Sequence, residues 1–182
     1  MPWVQQGGNM IRKVFNYIGL QIGWLACAVG AAQEMAWLGP LVVMIYLGLH
    51  LYWSPRRFKE LRFILLVGLI GLVVDSLKKI TGLIVYAGDV PFAWLAPPWI
   101  IAMWLLFSTS LNGSLSWLKG RYVLALILGA VFGPLSYVSG VRLGAAEFNY
   151  EFWFTVGVLA VVWALVVPGL VWLSKLLVED DD

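Results

Sequence analysis

Arg62-Phe63-Ile64-Leu65-Leu66-Val67-Gly68-Leu69-Ile70-Gly71-Leu72-Val73-Val74-Asp75-Ser76-Leu77-Lys78-Lys79-Ile80-Thr81-Gly82 is an apolar run interrupted by one acid and, just after it, two lysines. A run of about 20 apolar residues is enough to cross the hydrocarbon of a bilayer. Ionisable groups at that depth cost at least ~2.5–3.5 kcal/mol each on insertion scales, so they mark a buried pair or a working site. The rest of the chain explains why a membrane is the right solvent to consider. It has 182 residues, of which 62% are hydrophobic and 12% charged, and its mean hydropathy is +0.87. A soluble domain carries about 25% charged residues, so a water-soluble fold of this composition would have almost no polar surface. Eleven tryptophans and seven tyrosines suit aromatic belts at two interfaces.

Other classes fall away on the same count. The net charge of +2 gives no basic face for nucleic acid. The single cysteine, Cys27, excludes an intrachain disulfide and a multi-cysteine metal site, and one histidine argues against a His-rich catalytic metal. No metal and no cofactor is implied. There is no phosphate loop, zinc helix, serine–histidine pair or pair of carboxylates at usable spacing. An enzyme would have to work with Asp75, Lys78, Tyr86 or Tyr137 as acid–base groups. The apolar stretch after Arg12-Lys13 is longer than a signal core, so it reads as a span and not as a cleavable signal. Met10 can be read as the true start, which would make residues 1–9 an unstructured leader or the product of a misassigned start.

Six spans are expected, over residues 14–32, 36–53, 61–87, 94–117, 122–141 and 152–173. They form one transmembrane domain, 14–175, between a short cytoplasmic segment, 1–13, and an acidic tail, 176–182. The expected fold is therefore all-α, a polytopic bundle of six transmembrane helices. Basic residues set its orientation. Arg12, Lys13, Arg56, Arg57, Lys59, Arg62, Lys119, Arg121 and Lys175 fall on one side if both termini are cytoplasmic. The opposite connections hold Glu34, Asp89, Arg142, Glu147 and Glu151.

Small residues let helices approach in lipid. They recur in span one (Gly19, Gly23, Ala26, Gly30), span three (Gly68, Gly71, Gly82) and span five (Gly129, Gly133, Gly140, Gly144), which makes these spans the expected tight centre. Asp75, Lys78 and Tyr86 share the glycine face of span three. Asp75 lies three residues from Lys78 and four from Lys79, so either ammonium can reach it. At ~1.5 Å per residue Asp75 stands ~20 Å above the cytoplasmic boundary. Trp104 and the Gly133-Pro134 kink reach about that level, and Tyr137 reaches Lys78.

The candidate polar site is thus Asp75, Lys78, Lys79, Trp104 and Tyr137, with Trp99 and Arg142 at an outer vestibule. One reading is a neutralised pair that fixes helix register. The other is a polar pocket in which Asp75 exchanges a proton or orients a lysine toward an anionic head group. Lys79 has a further option, to face the interface alone. Ser108, Asn112 and Ser116 share a face of span four, where most hydroxyls are expected to bond back to their own helix. Gln21 is an expected partner of Asn112, and His50 an interfacial histidine. Gly-Pro-Leu occurs at both 39–41 and 133–135, which hints at two inverted three-span halves.

The run from Asp75 through Pro97-Pro98-Trp99 and Trp104 to Gly133-Pro134-Leu135-Ser136-Tyr137 and Arg142-Leu143-Gly144 resembles the small bacterial six-span inner-membrane proteins grouped as a domain family of unknown function. The resemblance covers nearly the whole chain from about Met10. It implies a bacterial inner-membrane location and a setting among lipid-modifying enzymes, and it carries no catalytic residue. Three functions follow as expectations. The first is binding or handling of a lipid or other anionic amphiphile. The second is a small proton-coupled transporter using Asp75. The third is a non-catalytic membrane partner of a lipid-modifying enzyme. Membrane lipids are the expected partners, with a membrane protein under the third reading and no nucleic acid under any. No oligomeric state is implied.

Overall fold

A computed structural model describes the backbone of residues 2–88 and 92–179, and the side chains of 10–88 and 92–178. Asp89 and the last acids of the tail, expected on opposite sides of a membrane, lie outside the described residues. Six helices carry the chain: α1 (Pro2–Ala32), α2 (Leu38–Trp53), α3 (Arg57–Ile80), α4 (Pro98–Asn112), α5 (Tyr122–Arg142) and α6 (Phe152–Ser174). Met10–Ala32 of α1, Tyr122–Arg142, and Phe152–Val178, which continues α6 into the π-helical turn Lys175–Glu179, are long and apolar enough to cross a membrane, while Leu38–Trp53 is apolar but shorter. Large apolar side chains such as Ile18, Ile22, Leu65, Leu69, Val161 and Leu165 stand exposed on the outside of the bundle. Exposed apolar surface of that extent is what lipid, not water, covers. α1 starts at Pro2, so helix reaches back through the segment expected to precede span one.

Two expected spans are cut short, each by backbone chemistry. Span three was expected to run to Ala87, but α3 stops at Ile80. Gly82 takes φ +68°, its N–H bonds to Lys79 O, and Leu83 N–H bonds to Lys78 O. These two bonds close a Schellman cap, which needs a residue that tolerates the left-handed region. α5 ends the same way. Gly144 has φ +83° and bonds to Val141 O, and Ala145 bonds to Gly140 O. Each cap throws the chain into a three-residue strand, β1 (Ile84–Tyr86) and β2 (Ala146–Phe148). These pair antiparallel, with Val85 opposite Glu147. Gly82, Gly144 and Tyr86 are therefore not on helical faces, as periodicity suggested, but in a ribbon that ties the α3 end to the α5 end.

Span four is the second. The expected 94–117 contains only the 15 residues of α4, about 22 Å at 1.5 Å per residue, against about 30 Å of hydrocarbon. Pro98 sits at the first helical position, where its missing N–H is no loss. α4 is also the most enclosed helix. Trp99, Ile100, Ala102, Trp104, Leu106 and Ser108 to Leu111 are all buried, and α1, α2, α3 and α6 pack around it.

The expected centre of spans one, three and five thus gives way to α4, and the glycines explain how. A Cβ on Gly23 would overlap Leu106, one on Gly68 would overlap Leu105, and one on Gly71 would overlap Trp104. Gly23 of α1 and the glycines of α3 are holes for large side chains of α4, while Gly19 of α1 receives Tyr46 of α2. Those of α5 serve α6, since Gly129 and Gly133 lie against Trp163. The structure also separates the two Gly-Pro-Leu copies. Pro40 stands near the start of α2, but Pro134 is inside α5. The recurring unit is helix, glycine cap, strand and helix, once in α3–β1–α4 and again in α5–β2–α6.

One polar knot ties the end of the bundle where α2 and α4 finish. Asn16 of α1 is 2% exposed. Its amide donates to Tyr46 OH at 2.9 Å and Thr109 Oγ1 at 3.0 Å. Its carbonyl accepts from Ser114 N at 3.0 Å and Ser114 Oγ at 2.8 Å. All four bonding positions of the amide are used. Asn112 is held by Lys119 Nζ at 2.9 Å and by Ser174 Oγ at 2.7 Å, not by Gln21. Ser108, Thr109 and Ser110 each donate to the carbonyl three residues back.

Candidate functional site

Asp75 lies in the penultimate turn of α3 and is fully buried. Two forces put it there: the Gly68–Gly71 face of α3 seats against α4, and Asp75 follows on that face one turn later. Its Oδ1 accepts from Lys78 Nζ at 3.0 Å, Tyr137 OH at 2.7 Å and Tyr86 OH at 2.5 Å. Its Oδ2 accepts from Trp104 Nε1 at 2.6 Å. Four donors from α3, β1, α4 and α5 thus converge on one carboxylate. A carboxylate offers only acceptors, and all four groups that surround it here are donors.

Lys78 is 4% exposed and neutralises the charge. A second of its N–H groups donates to Tyr137 OH at 2.6 Å. Its ammonium lies 4.4 Å from the Tyr137 ring centre and 5.6 Å from that of Trp163. Both distances are within cation–π range. Trp163 of α6 stacks on Trp104 at 5.0 Å and 15°.

One donor in this group has no proper acceptor. Trp163 Nε1 is the buried side-chain polar atom left without a hydrogen bond among the described residues. The Tyr137 hydroxyl is near enough to interact with it, but no bond of good geometry forms. Lys78 likewise has three ammonium hydrogens, of which two are taken up by Asp75 and Tyr137. The site is balanced in formal charge yet has more donors than acceptors. It can hold a carboxylate charged, pin α5 to α3, and accept one further acceptor group.

Of the residues singled out from sequence, Asp75, Lys78, Trp104 and Tyr137 come together. Lys79 does not reach Asp75, because it points to the other side of α3 and donates to Leu95 O at 2.9 Å. Trp99 is 2% exposed. It donates to Ala87 O at 2.9 Å and meets the Tyr86 ring edge-on. It therefore buttresses Tyr86 and does not line an open vestibule. Arg142 is exposed in the last turn of α5 and the structure does not bring it to this group. Two participants were not among the candidate site residues. Tyr86 was noticed but placed on a helix. Trp163 is not singled out by the sequence reading, although a signal exists: it is the large ring in the middle of span six, away from the aromatic residues at either end and opposite the small-residue stripe of span five.

The sequence pattern of the family described as "Protein of unknown function (DUF2878)" matches residues 13–169. The chain belongs to this family. The expected kinship with an uncharacterised domain family therefore holds, and the DUF2878 match runs from within α1 to within α6 and takes in the whole Asp75 network. No curated protein and no solved structure matches the chain.

Proposed function

We propose that this is a six-span inner-membrane protein with both termini in the cytoplasm, and that it handles a lipid or other anionic amphiphile at the seam beside Lys78. The observation that carries the reading is the surplus of buried donors, Trp163 Nε1 above all. A buried N–H without an acceptor costs about 1–3 kcal/mol, and a carboxylate, phosphate or ester oxygen reaching the seam would satisfy it. The helix packing supports entry there. α5 packs along α6, and the pair joins the rest through side chains, the β1–β2 ribbon and short end contacts. An amphiphile could part that seam while its tail stays in lipid. In this reading Lys78 meets the anionic group and Asp75 positions Lys78.

Comparative lipidomics on a deletion strain, the wild type, Lys78→Ala and Trp163→Phe tests this. Trp163→Phe keeps a ring on Trp104 and removes only the N–H. The expected result is one lipid class altered by the deletion and not restored by either variant at normal expression. Identical profiles in all strains would sink the lipid reading. They would favour Asp75 as the titrating group of a transporter for a non-lipid solute, or a partner role without ligand.

A further inference from the structure

At the opposite end of the bundle from Asp75 lies a cleft of about 640 Å³. It opens where α1 passes the ends of α2 and α4 and the start of α3. Arg12 and Lys13 of α1 and Arg56 of the α2–α3 turn line it. The one carboxylate in the lining, Glu60, is engaged by His50 Nε2 at 2.5 Å. Burial alone would push Glu60 upward. The His50 hydrogen bond and charge, Ser54 and the Arg12 guanidinium outweigh it and hold the carboxyl below its ordinary value. Glu60 therefore stays an anion, and three cations face one carboxylate that already has a partner.

The cations are held in place without being used up. Arg12 Nη2 donates to Trp53 O at 2.5 Å, and Arg56 Nη1 donates to Val178 O at 2.7 Å. A guanidinium has five N–H donors in a fixed fork, so each of these keeps most of its capacity. Lys13 makes no hydrogen bond among the described residues. The floor is rigid because Asn16, with all its bonds made, lies under Gly113, where any Cβ would strike the Asn16 amide. One wall is apolar: Phe15 meets Trp53 edge-on at 5.1 Å. Exposed Ile11, Val14 and Ile18 carry that wall along α1.

We propose that this cleft binds a phosphate group, carried by an anionic lipid of the leaflet on that side. Paired forks and an ammonium suit the charge and oxygen geometry of phosphate, and three cations exceed what a single carboxylate needs. The apolar path along α1 gives an acyl chain somewhere to lie, which inorganic phosphate would not use. The site is separate from the Lys78 seam, so either can fail without the other.

The test uses full-length protein in uncharged detergent, with lipid adducts counted by native mass spectrometry. The probes are dioleoyl phosphatidic acid, dioleoyl phosphatidylcholine and inorganic phosphate. Phosphatidic acid is expected to bind well ahead of phosphatidylcholine. Arg12→Gln/Arg56→Gln is expected to weaken it about tenfold, the size of losing charge-assisted bonds. Lys13→Gln, which breaks no bond of the fold, should weaken it about threefold. Arg142→Gln, in the last turn of α5 and outside the cleft, should leave it unchanged.

Equal binding by wild type, Lys13→Gln and the double variant would overturn the proposal. So would an equal loss in Arg142→Gln, which would mean unspecific attraction. Displacement of the lipid by inorganic phosphate would keep the phosphate site and assign it to the free ion. Failure to displace would assign it to the lipid headgroup. If the double variant does not fold, Lys13→Gln alone decides.

Discussion

At the scale of the residue, Asp75 and Lys78 illustrate how a buried pair acts. Taking two charges out of water is costly, and their attraction repays it only when the remaining lone pairs and protons are also bonded. Asp75 meets that condition through Tyr86, Tyr137 and Trp104. Removing one partner should therefore hurt far more than removing both. Asp75→Asn leaves the Lys78 ammonium buried and unpaired, and is expected to cost about 3–5 kcal/mol. Asp75→Asn/Lys78→Met replaces the charge by an apolar chain of similar length and is expected to recover much of that loss. Thermal melts in detergent of the wild type, both single variants and the double check the cycle. A double variant as unstable as Asp75→Asn would mean that the tyrosines and Trp104, and not the ammonium, hold the carboxylate. The pairing with Lys78 was legible from three-residue spacing. The rejection of Lys79 was not, because both lysines are within reach of Asp75 and only packing against residues 92–97 decides which way each turns.

At the scale of the element, the glycines were legible as contacts but not as contacts with what. Spacing showed that α1, α3 and α5 each offer a small-residue face. It could not show that the faces receive large side chains of α2, α4 and α6 rather than one another, since lateral order leaves no periodic trace. The two glycine caps were hidden for a related reason. In an apolar run, a glycine that ends a helix looks like one that packs inside it, and only φ distinguishes Gly82 from Gly71. The packing glycines differ in how much room their neighbours have. A Cβ at Gly39 would overlap the Cα of Cys27, and one at Gly129 would overlap the carbonyl of Trp163. Backbone cannot swing aside as a side chain can, so Gly39→Ala and Gly129→Ala are each expected to destabilise by about 1–3 kcal/mol or more. Gly157 and Gly140 have nothing within 4 Å of a built Cβ. Alanine there should be neutral or slightly stabilising, since it is the better helix former. Melting temperatures of the four variants check this, and equal losses at all four would show that helix contacts do not set the order.

At the scale of the whole molecule, the two polar centres divide the bundle. The Asp75 network gathers α3, α4, α5 and β1 at the end that carries the β1–β2 ribbon. The Asn16 knot, the His50–Glu60 pair and the Arg12–Lys13–Arg56 cleft lie at the end from which α3 departs. The division matches the sequence, in which Lys and Arg concentrate in the connections at the second end. If that concentration sets the orientation, the basic cleft meets the cytoplasmic leaflet and the Asp75 network sits in the outer half. Single cysteines in a Cys27→Ala background can decide it. Lys119→Cys in the turn before α5 is expected to be protected from an impermeant maleimide in intact cells and labelled after lysis. Glu147→Cys, exposed on β2, is expected to be labelled in intact cells, as is Asn149→Cys in the bend that follows the strand. The reverse pattern would invert the protein and place the Lys78 seam toward the cytoplasm. Labelling of all three from outside would mean that α5 does not cross, despite being long and apolar enough to do so.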